Sequence, residues 1–315
     1  MSRIEIIMST YNGEKYIREQ LDSIIRSSFK NWHISVSDDC SSDSTCDILR
    51  EYVQKYQGKI SLHINDSNMG STVNFLTSLK RVADEDKNRE EQTYYMFSDQ
   101  DDVWLKDKLY VTLKAMKRLE RKIGTVKPSL IFTDAVLAGQ DLSYIDNSFY
   151  KAGHRSVRNL SVSRLLIENR CIGCTVMMNR ALVDMVGNDF ENVRYHDWWV
   201  ALIASAFGGI RFLRVPTLLY RQHTGNQVGQ GDFSSYVKSR MFDKQDIDNR
   251  LADTFAQAEA FYECYKGRLG YKNAMMVNEF SKLPSRSFFM KRYLVLRYRF
   301  FKSGLIRNIA LLLFI

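Results

Sequence analysis

The stretch YYMFSDQDDVW, residues 94–104, places a short apolar run directly before three carboxylates. These are Asp99, Asp101 and Asp102, and carboxylates this close raise one another's pKa unless a positive group lies among them. A DxD pair at the end of a buried strand can bind a hard divalent cation together with phosphate oxygens. The alternative is a solvated acidic loop that caps the following helix, which is common for an isolated DxD triplet.

Short apolar runs alternate with segments of helical periodicity in the first half of the chain. Runs at 4–8, 32–36, 60–64 and 93–98 predict strands, and the apolar residues between them recur with helical spacing. This alternation predicts an α/β fold, with a mostly parallel sheet flanked by helices. Two further strands are predicted at 210–214 and 217–221, and the small residues of the segment 171–179 favour another strand. After about residue 231 the pattern is helical throughout, which predicts a C-terminal helical extension.

Three polar clusters follow the predicted strands, at residues 10–12, 38–39 and 99–102. Ligands of open parallel sheets bind beyond the carboxyl ends of the strands, so we expect these clusters to form one cleft. One of Asp38 and Asp39 is expected to make an Asx turn or a helix cap, and the other to contact a base or ribose.

The stretch YHDWW, residues 195–199, opens an apolar helix. His196 and Asp197 are candidates for a general base, because a carboxylate walled by apolar rings can have a pKa raised to a working value. Trp198 and Trp199 can stack on a sugar ring or be plain core residues. A helix cap remains an alternative for the acid. His223, in YRQHTGN, is either a metal ligand beside the carboxylates or a loop histidine.

The formal charge of +9 is concentrated at the C-terminal end, where residues 281–315 carry eight Lys or Arg and no acid. A near-neutral body with a basic tail argues against a nucleic-acid partner and for a local anionic surface. Aromatic residues alternate with these cations as in an interfacial helix, although a solvated basic helix packed on the body stays open. Five scattered cysteines, no signal-peptide pattern and no apolar run of spanning length predict a cytoplasmic protein.

Six stretches together resemble family 2 glycosyltransferases of the GT-A fold: MSTYNGEKYIREQLDSI, VSDDCSSDST, NMGSTVNF, FSDQDDVWLKDKL, YHDWWVALIASAFG and LYRQHTGNQVG. They extend over residues 4–229 and are most similar to bacterial rhamnosyltransferases of cell-wall and capsular polysaccharide synthesis. The resemblance implies a catalytic domain over residues 1–231. A helical region with a basic, membrane-associating tail follows over residues 232–315.

The resemblance also implies a role for each matching residue. Asp197 is the catalytic base, and Asp101 and His223 bind Mn²⁺ or Mg²⁺. From the chemistry of their rings, His196, Trp198 and Trp199 are expected in the acceptor or sugar pocket. The residues that contact the nucleotide sugar are Thr10, Tyr11, Asn12, Glu14, Asp39, Asn74, Asp99 and Gln100. No role follows for Asp102, Cys171 or Cys174.

The expected activity is inverting, metal-dependent transfer of L-rhamnose from dTDP-rhamnose to a lipid-linked or growing surface polysaccharide at the inner face of the cell membrane. A UDP-hexose or UDP-N-acetylhexosamine donor is the alternative with the same mechanism. A phosphatase of the haloacid dehalogenase type is disfavoured, because three strand–helix units precede the acids. A non-catalytic protein that binds a nucleotide sugar or glycan is the remaining alternative.

Overall fold

The computed structural model of the protein describes residues 2–223 and 244–315, whose strands form one mixed sheet. The sheet has nine strands within those residues. They are β1 (Ser2–Thr10), β2 (Trp32–Asp38), β3 (Ile60–Ile64), β4 (Gln92–Ser98), β5 (Val103–Trp104), β6 (Ser129–Ala138), β7 (Tyr144–Asp146), β8 (Met177–Asn179) and β9 (Gly209–Arg221).

The sheet combines a parallel half with a mixed half. Its strand order is β3-β2-β1-β4-β8-β6-β9-β5, with β7 paired to β6. The first four strands in this order are parallel, as are β6 and β9, whereas β8 and β5 run antiparallel to their neighbours. Parallel neighbours need long crossover connections, and helices supply them.

The helices of the described residues connect these strands and then form the C-terminal region. They are α1 (Ile17–Ile25), α2 (Thr45–Lys55), α3 (Ser71–Glu85), α4 (Lys108–Ile123), α5 (Phe149–Ala152), α6 (Val162–Ile167), α7 (Arg180–Val183), α8 (His196–Phe207), α9 (Lys244–Tyr265), α10 (Tyr271–Ser281), α11 (Phe288–Tyr298) and α12 (Leu305–Phe314).

The core lies between the sheet and these helices. β1 is an almost continuous run of buried residues, which is typical of a parallel strand covered on both faces. α1 buries Ile17, Leu21 and Ile24, whose spacing places them on one face of a helix. The apolar residues that recur periodically in the sequence are therefore the residues that pack in the core.

The predicted α/β class, with its mostly parallel sheet, is confirmed. Two strands predicted at 210–214 and 217–221 are instead the single strand β9. Pro216 accounts for the apparent break: it offers no N–H, and the pairing of β9 with β6 shifts register near it instead of ending. The segment 171–179 holds a 3-10 turn at Gly173–Thr175 before β8, where a continuous strand was expected.

Residues around Ser303 attach the C-terminal helices to the sheet domain. The Glu168 carboxylate accepts hydrogen bonds from the backbone N–H and the hydroxyl of Ser303 at 2.8 and 2.7 Å. The guanidinium groups of Arg164 and Arg170 both donate to the carbonyl oxygen of Phe301. Because Glu168, Arg170 and Ser303 are all buried, this attachment is part of the protein interior.

The tail helices, α11 and α12, contact each other through Arg292, which donates to the carbonyl oxygens of Leu313 and Ile315. Among residues 2–223 and 244–315, no helix is both long enough and apolar enough to span a bilayer. The predicted domain boundary at 231/232 and residues 224–229 of the last matching stretch lie outside the described residues.

Candidate active site

Gln100 ties the end of β4 to the end of β1. Its amide oxygen accepts a hydrogen bond from the Tyr11 backbone N–H at 2.9 Å, and its amide nitrogen donates to the Tyr11 carbonyl oxygen at 3.0 Å. The Thr10 hydroxyl donates to the Asp38 carboxylate at 2.7 Å, which brings the end of β2 to the same place. The predicted convergence of the three polar clusters is therefore confirmed.

Asp38 and Asp39 have separate structural partners. Asp38 accepts hydrogen bonds from the backbone N–H and hydroxyl of Ser41 at 2.8 and 2.7 Å, so it makes the expected Asx turn. Asp39 accepts from the backbone N–H groups of Met69 and Gly70 at 3.0 and 2.9 Å. Gly70 has φ 83°, a left-handed conformation that glycine adopts without strain. Asp39 thus fixes the loop before α3, and its contact with a base stays a prediction.

The other residues predicted to contact the nucleotide sugar differ in accessibility. Thr10 and Asn74 are buried. The Asn74 amide makes hydrogen bonds to the side chains of Ser9, Ser37 and Asn65, so it stabilises the strand ends that form the cleft. Asn12 and Glu14 are exposed, and each accepts a backbone N–H of the loop after β2 at 2.9 Å. Tyr11 is 48% exposed, so its ring is accessible to a ligand.

Asp101 and His223 form a pair suited to a divalent cation. Their Oδ2 and Nε2 atoms are 2.8 Å apart, and their side chains are 17% and 13% exposed. Arg221 holds the acidic segment in place, because its Nε donates to the Asp101 carbonyl oxygen at 2.8 Å. One carboxylate oxygen and one imidazole nitrogen are a donor set that Mn²⁺ accepts. The residues present therefore fit the predicted metal, and their role as ligands stays a prediction.

An alternative set of ligand atoms lies deeper in the protein. A carboxylate oxygen of Asp99, one of Asp102 and the Sγ atom of Cys174 lie within 4.8 Å of one another. Burial raises the pKa of the Cys174 thiol well above its usual range, which disfavours the thiolate that metals bind. Burial and the charge of Asp101 raise the pKa of Asp102 in the same direction. This set therefore fits a metal less well than Asp101 with His223.

A buried cation lies beneath the three acids. Lys108 is 1% exposed, and its Nζ donates to the Cys174 carbonyl oxygen at 2.8 Å and to the Thr217 hydroxyl at 3.3 Å. Burial lowers the pKa of its ammonium group, while Cys174, Asp102 and Asp99 act in the opposite direction. The protein itself thus supplies part of the positive charge that the acidic stretch requires.

Asp197 lies in the first turn of α8, and hydrogen bonds orient its carboxylate. Its Oδ1 accepts hydrogen bonds from the Trp198 backbone N–H at 2.7 Å and from Nδ2 of Asn169 at 2.9 Å. Burial raises the pKa of Asp197 to about 6, and these hydrogen bonds oppose the rise. After burial and the charge of Asp101, the charge of Asp197 also raises the pKa of Asp99, so the base candidate lies near the acids. A carboxylate of this kind is ionised at neutral pH and can still accept a proton.

The family assignment follows from comparison with known proteins. The model of glycosyl transferase family 2 matches residues 5–184, which is more than half of the chain. The chain is a family 2 glycosyltransferase. Over 235 residues this glycosyltransferase is 30% identical to the dTDP-rhamnosyl transferase RfbG of Shigella flexneri, a match that covers 70% of the chain and 73% of RfbG. Over 208 residues it is 29% identical to the putative teichuronic acid biosynthesis glycosyltransferase TuaG of Bacillus subtilis, covering 65% and 73%.

Solved structures show the same fold at low sequence identity. S. aureus TarS in complex with UDP-GlcNAc aligns with a TM-score of 0.54 and 16% identity, over 95% of this glycosyltransferase and 88% of that chain. The mannosyltransferase PcManGT from Pyrobaculum calidifontis, in complex with GDP-Man and Mn²⁺, aligns with a TM-score of 0.53 and 18% identity, over 98% and 85%. The expected GT-A fold is thereby confirmed.

His196, Trp198 and Trp199 do not line an open pocket in this glycosyltransferase. The His196 ring stacks on Phe75 with a centroid distance of 4.1 Å, and burial lowers its pKa to about 3. The indole N–H groups of Trp198 and Trp199 donate to backbone carbonyl oxygens, and both rings are buried. The burial of Trp198 and Trp199 fits the core alternative, and the contact of all three residues with sugar stays a prediction. The motif is apolar because it anchors the helix that carries Asp197.

Three residues of the site have no signature in the sequence. Asn169 orients the base candidate Asp197, Arg221 anchors the acidic segment, and Lys108 lies near Asp99 and Asp102. Lys108 and Arg221 lie in quoted family stretches, but their positions there give no sign of the contacts that they make. Asn169 and Arg221 act through contacts with residues 28 and 120 positions away, which no local pattern reveals.

Proposed function

We propose that this glycosyltransferase transfers a sugar, with inversion, from a nucleoside diphosphate donor to an acceptor hydroxyl, and that Asp197 is the base. The single observation that supports this most is the oriented, buried Asp197 carboxylate, whose charge acts on Asp99 at the end of β4. A base and a group of acids at one cleft are the two parts that such a displacement needs.

The proposed reaction is one displacement at the anomeric carbon. The acceptor oxygen forms the new bond to that carbon while the bond from the carbon to the diphosphate oxygen breaks. Asp197 takes the hydroxyl proton, and Asn169 and the Trp198 N–H hold its carboxylate in position. Asp101 and His223 would hold Mn²⁺ or Mg²⁺, which when bound neutralises charge on the leaving diphosphate.

For the donor, we propose dTDP-rhamnose. The similarity to a protein named as a dTDP-rhamnosyl transferase, at 30% identity, supports this choice. A UDP-hexose or UDP-N-acetylhexosamine is the alternative. It is supported by similarity at 24% identity to an Escherichia coli protein named as a UDP-Glc glucosyltransferase acting on a diphosphoundecaprenol-linked sugar.

A donor panel tests the proposed function. Purified enzyme with Mn²⁺ is titrated with dTDP-rhamnose, UDP-glucose and UDP-N-acetylglucosamine, and binding is followed by calorimetry while release of the nucleoside diphosphate is followed by chromatography. The expected result is tightest binding and fastest release with dTDP-rhamnose. Preference for a UDP-sugar would overturn the donor assignment, and no binding or release with any donor would contradict the proposed transfer.

The tail helices support a location at the cytosolic face of a membrane. They expose large apolar side chains, among them Phe289 at 82%, Leu305 at 77% and Ile306 at 69%. Residues 281–315 contain no acid to repel anionic lipid. Apolar side chains interleaved with cations are the composition of an interfacial helix, so the acceptor we propose is lipid-linked.

Substituting these three exposed residues is expected to release the enzyme from vesicles. The triple variant Phe289→Ser, Leu305→Ser, Ile306→Ser should bind phosphatidylglycerol vesicles about a hundredfold more weakly, because insertion of each apolar side chain contributes about 1 kcal/mol or more. Sedimentation with vesicles measures this. The matched control is the triple variant of three exposed apolar residues elsewhere, Tyr110→Ser, Val126→Ser and Tyr144→Ser. Equal sedimentation of both variants and wild type would exclude the tail helices as the membrane contact.

A further inference from the structure

A cavity whose lining includes none of the acids 99–102 lies beside the tail. It has a volume of about 860 Å³ and opens between β6, β9 and the segment 147–158. Five basic side chains line it: Lys151, His154, Arg155, Arg158 and Arg214. We call this cavity the basic pocket.

Basic side chains outnumber acidic ones in the lining of the basic pocket. Asp134 is the one acidic residue in its lining, and its carboxylate accepts hydrogen bonds from the Ala135 backbone N–H and the Ser148 hydroxyl. Within residues 2–223 and 244–315, no carboxylate forms an ion pair with Lys151 or Arg158. Concave surfaces lined by one sign of charge concentrate ligands of the opposite sign.

The wall of the basic pocket leads directly to the base. Tyr150 lines the pocket, and its hydroxyl donates to the Arg170 carbonyl oxygen at 3.1 Å. The residue before Arg170 is Asn169, which donates to Asp197. Burial is the main cause of the raised pKa of Tyr150, and the charge of Asp197 makes a smaller contribution in the same direction. Tyr150 therefore links the lining of the pocket to the segment 169–170, which contacts Asp197.

The rim of the basic pocket leads in the other direction, to the tail. Ser156 lies in the rim, and its backbone N–H donates to the Ser303 hydroxyl oxygen at 3.0 Å. Ser303 lies between α11 and α12. Hydrogen bonds thus link the lining of the basic pocket to the segment beside Asp197 and to the segment between the tail helices.

We propose that the basic pocket binds the phosphate or diphosphate group of the acceptor. Phosphate oxygens accept charge-assisted hydrogen bonds from Arg and Lys, and the volume lies within the range of small-molecule sites. A phosphate held there ties an acceptor to the enzyme between its lipid, at the tail helices, and its hydroxyl, at Asp197. This assignment rests on the proposed function, since it names the acceptor class for the same reaction.

Inorganic pyrophosphate in the presence of EDTA tests the basic pocket separately from the metal-dependent donor site. The pocket variant is Lys151→Ala, Arg158→Ala, Arg214→Ala, and the matched control removes the same charge from the exposed face of α4, with Lys117→Ala, Arg118→Ala, Arg121→Ala. By calorimetry the pocket variant should bind pyrophosphate about tenfold more weakly or worse than wild type, because several charge-assisted hydrogen bonds are lost. The control should match wild type. Equal binding by all three proteins would overturn the assignment.

Two further measurements identify the source of the anion. Hydrolysis of the nucleotide-sugar donor by water, without acceptor, should proceed at the wild-type rate in the pocket variant, and a parallel loss would assign the pocket to the donor. Binding to phosphatidylglycerol vesicles should also be unchanged, whereas its loss without loss of pyrophosphate binding would make the pocket a headgroup site and overturn the proposal. If wild type binds none of the donors of the panel, the proposed function fails, while the pyrophosphate titration still decides whether the pocket binds diphosphate.

Discussion

Replacing Asp197 with Asn is expected to lower the rate of sugar transfer by about 10²–10⁴-fold, the usual contribution of a positioned general base. The amide oxygen of Asn can still accept from the Trp198 N–H and the Asn169 amide, so the start of α8 keeps its hydrogen bonds. What is lost is the group that takes the acceptor proton. Steady-state assay with the preferred donor measures the rate, and the melting temperature reports whether the fold is intact.

The pH dependence of the wild-type enzyme provides the companion measurement. The pKa of Asp197 is raised to about 6, so the base is ionised above that pH and the rate should fall as the pH drops through about 6. Cys171 and Tyr150 also lie near Asp197, but burial raises the pKa of each well above its usual range, so both stay neutral here. The acidic limb should vanish from the residual activity of Asp197→Asn. A limb that persists would assign the titration to Asp99.

The exposed residue Asp189 provides the matched control, as Asp189→Asn removes one carboxylate from the loop that precedes α8. That variant should retain the rate of wild type. Transfer by Asp197→Asn at the control rate would remove Asp197 from the mechanism.

Replacing Asp101 with Asn is expected to abolish Mn²⁺-dependent binding of the donor and to reduce transfer by on the order of 10²–10³-fold, comparable to the loss of other groups that stabilise developing negative charge. Asp101 meets His223 at 2.8 Å, and Asn at this position offers a neutral oxygen in place of an anion. The backbone carbonyl of residue 101 still accepts the hydrogen bond from Arg221, so the acidic segment should keep its backbone conformation.

Manganese electron paramagnetic resonance, with and without nucleoside diphosphate, measures the metal binding. The matched control is Asp107→Asn, an exposed acid in the same stretch that accepts a hydrogen bond from the Ser28 hydroxyl. Undiminished manganese binding by Asp101→Asn would exclude Asp101 as a ligand and favour the deeper set that includes Asp102 and Cys174.

The parallel half of the fold was predictable because its information is local. The apolar run at 93–98 and its acidic end follow strand and sheet rules, and the sheet rule alone brings residues 10–12 near Gln100. The resemblance to the family motifs then predicts that Asp197 is the catalytic base. The mixed half carries less local information, since β8 has three residues and β5 two, and their pairing depends on tertiary contacts.

The residues that support the site escape prediction for the same reason. Lys108 looks like an ordinary cation at the start of an amphipathic helix, and only the folded chain buries it beneath the acids. The YHDWW motif left two alternatives open, because aromatic rings can stack on a sugar or pack in a core, and only the folded chain shows that Trp198 and Trp199 are buried. Composition indicates what a side chain can contact, and tertiary packing determines what it does contact.

The bond between Glu168 and Ser303 makes the C-terminal region unsuitable for deletion experiments. A chain shortened before residue 299 would lose the Ser303 and Arg307 partners of Glu168, and the Phe301 carbonyl that Arg170 binds. These two residues flank Asn169, so the proton acceptor would lose its alignment together with the membrane contact. Inactivity of such a shortened chain would say nothing about lipid, and only substitutions at the exposed apolar positions separate attachment from turnover.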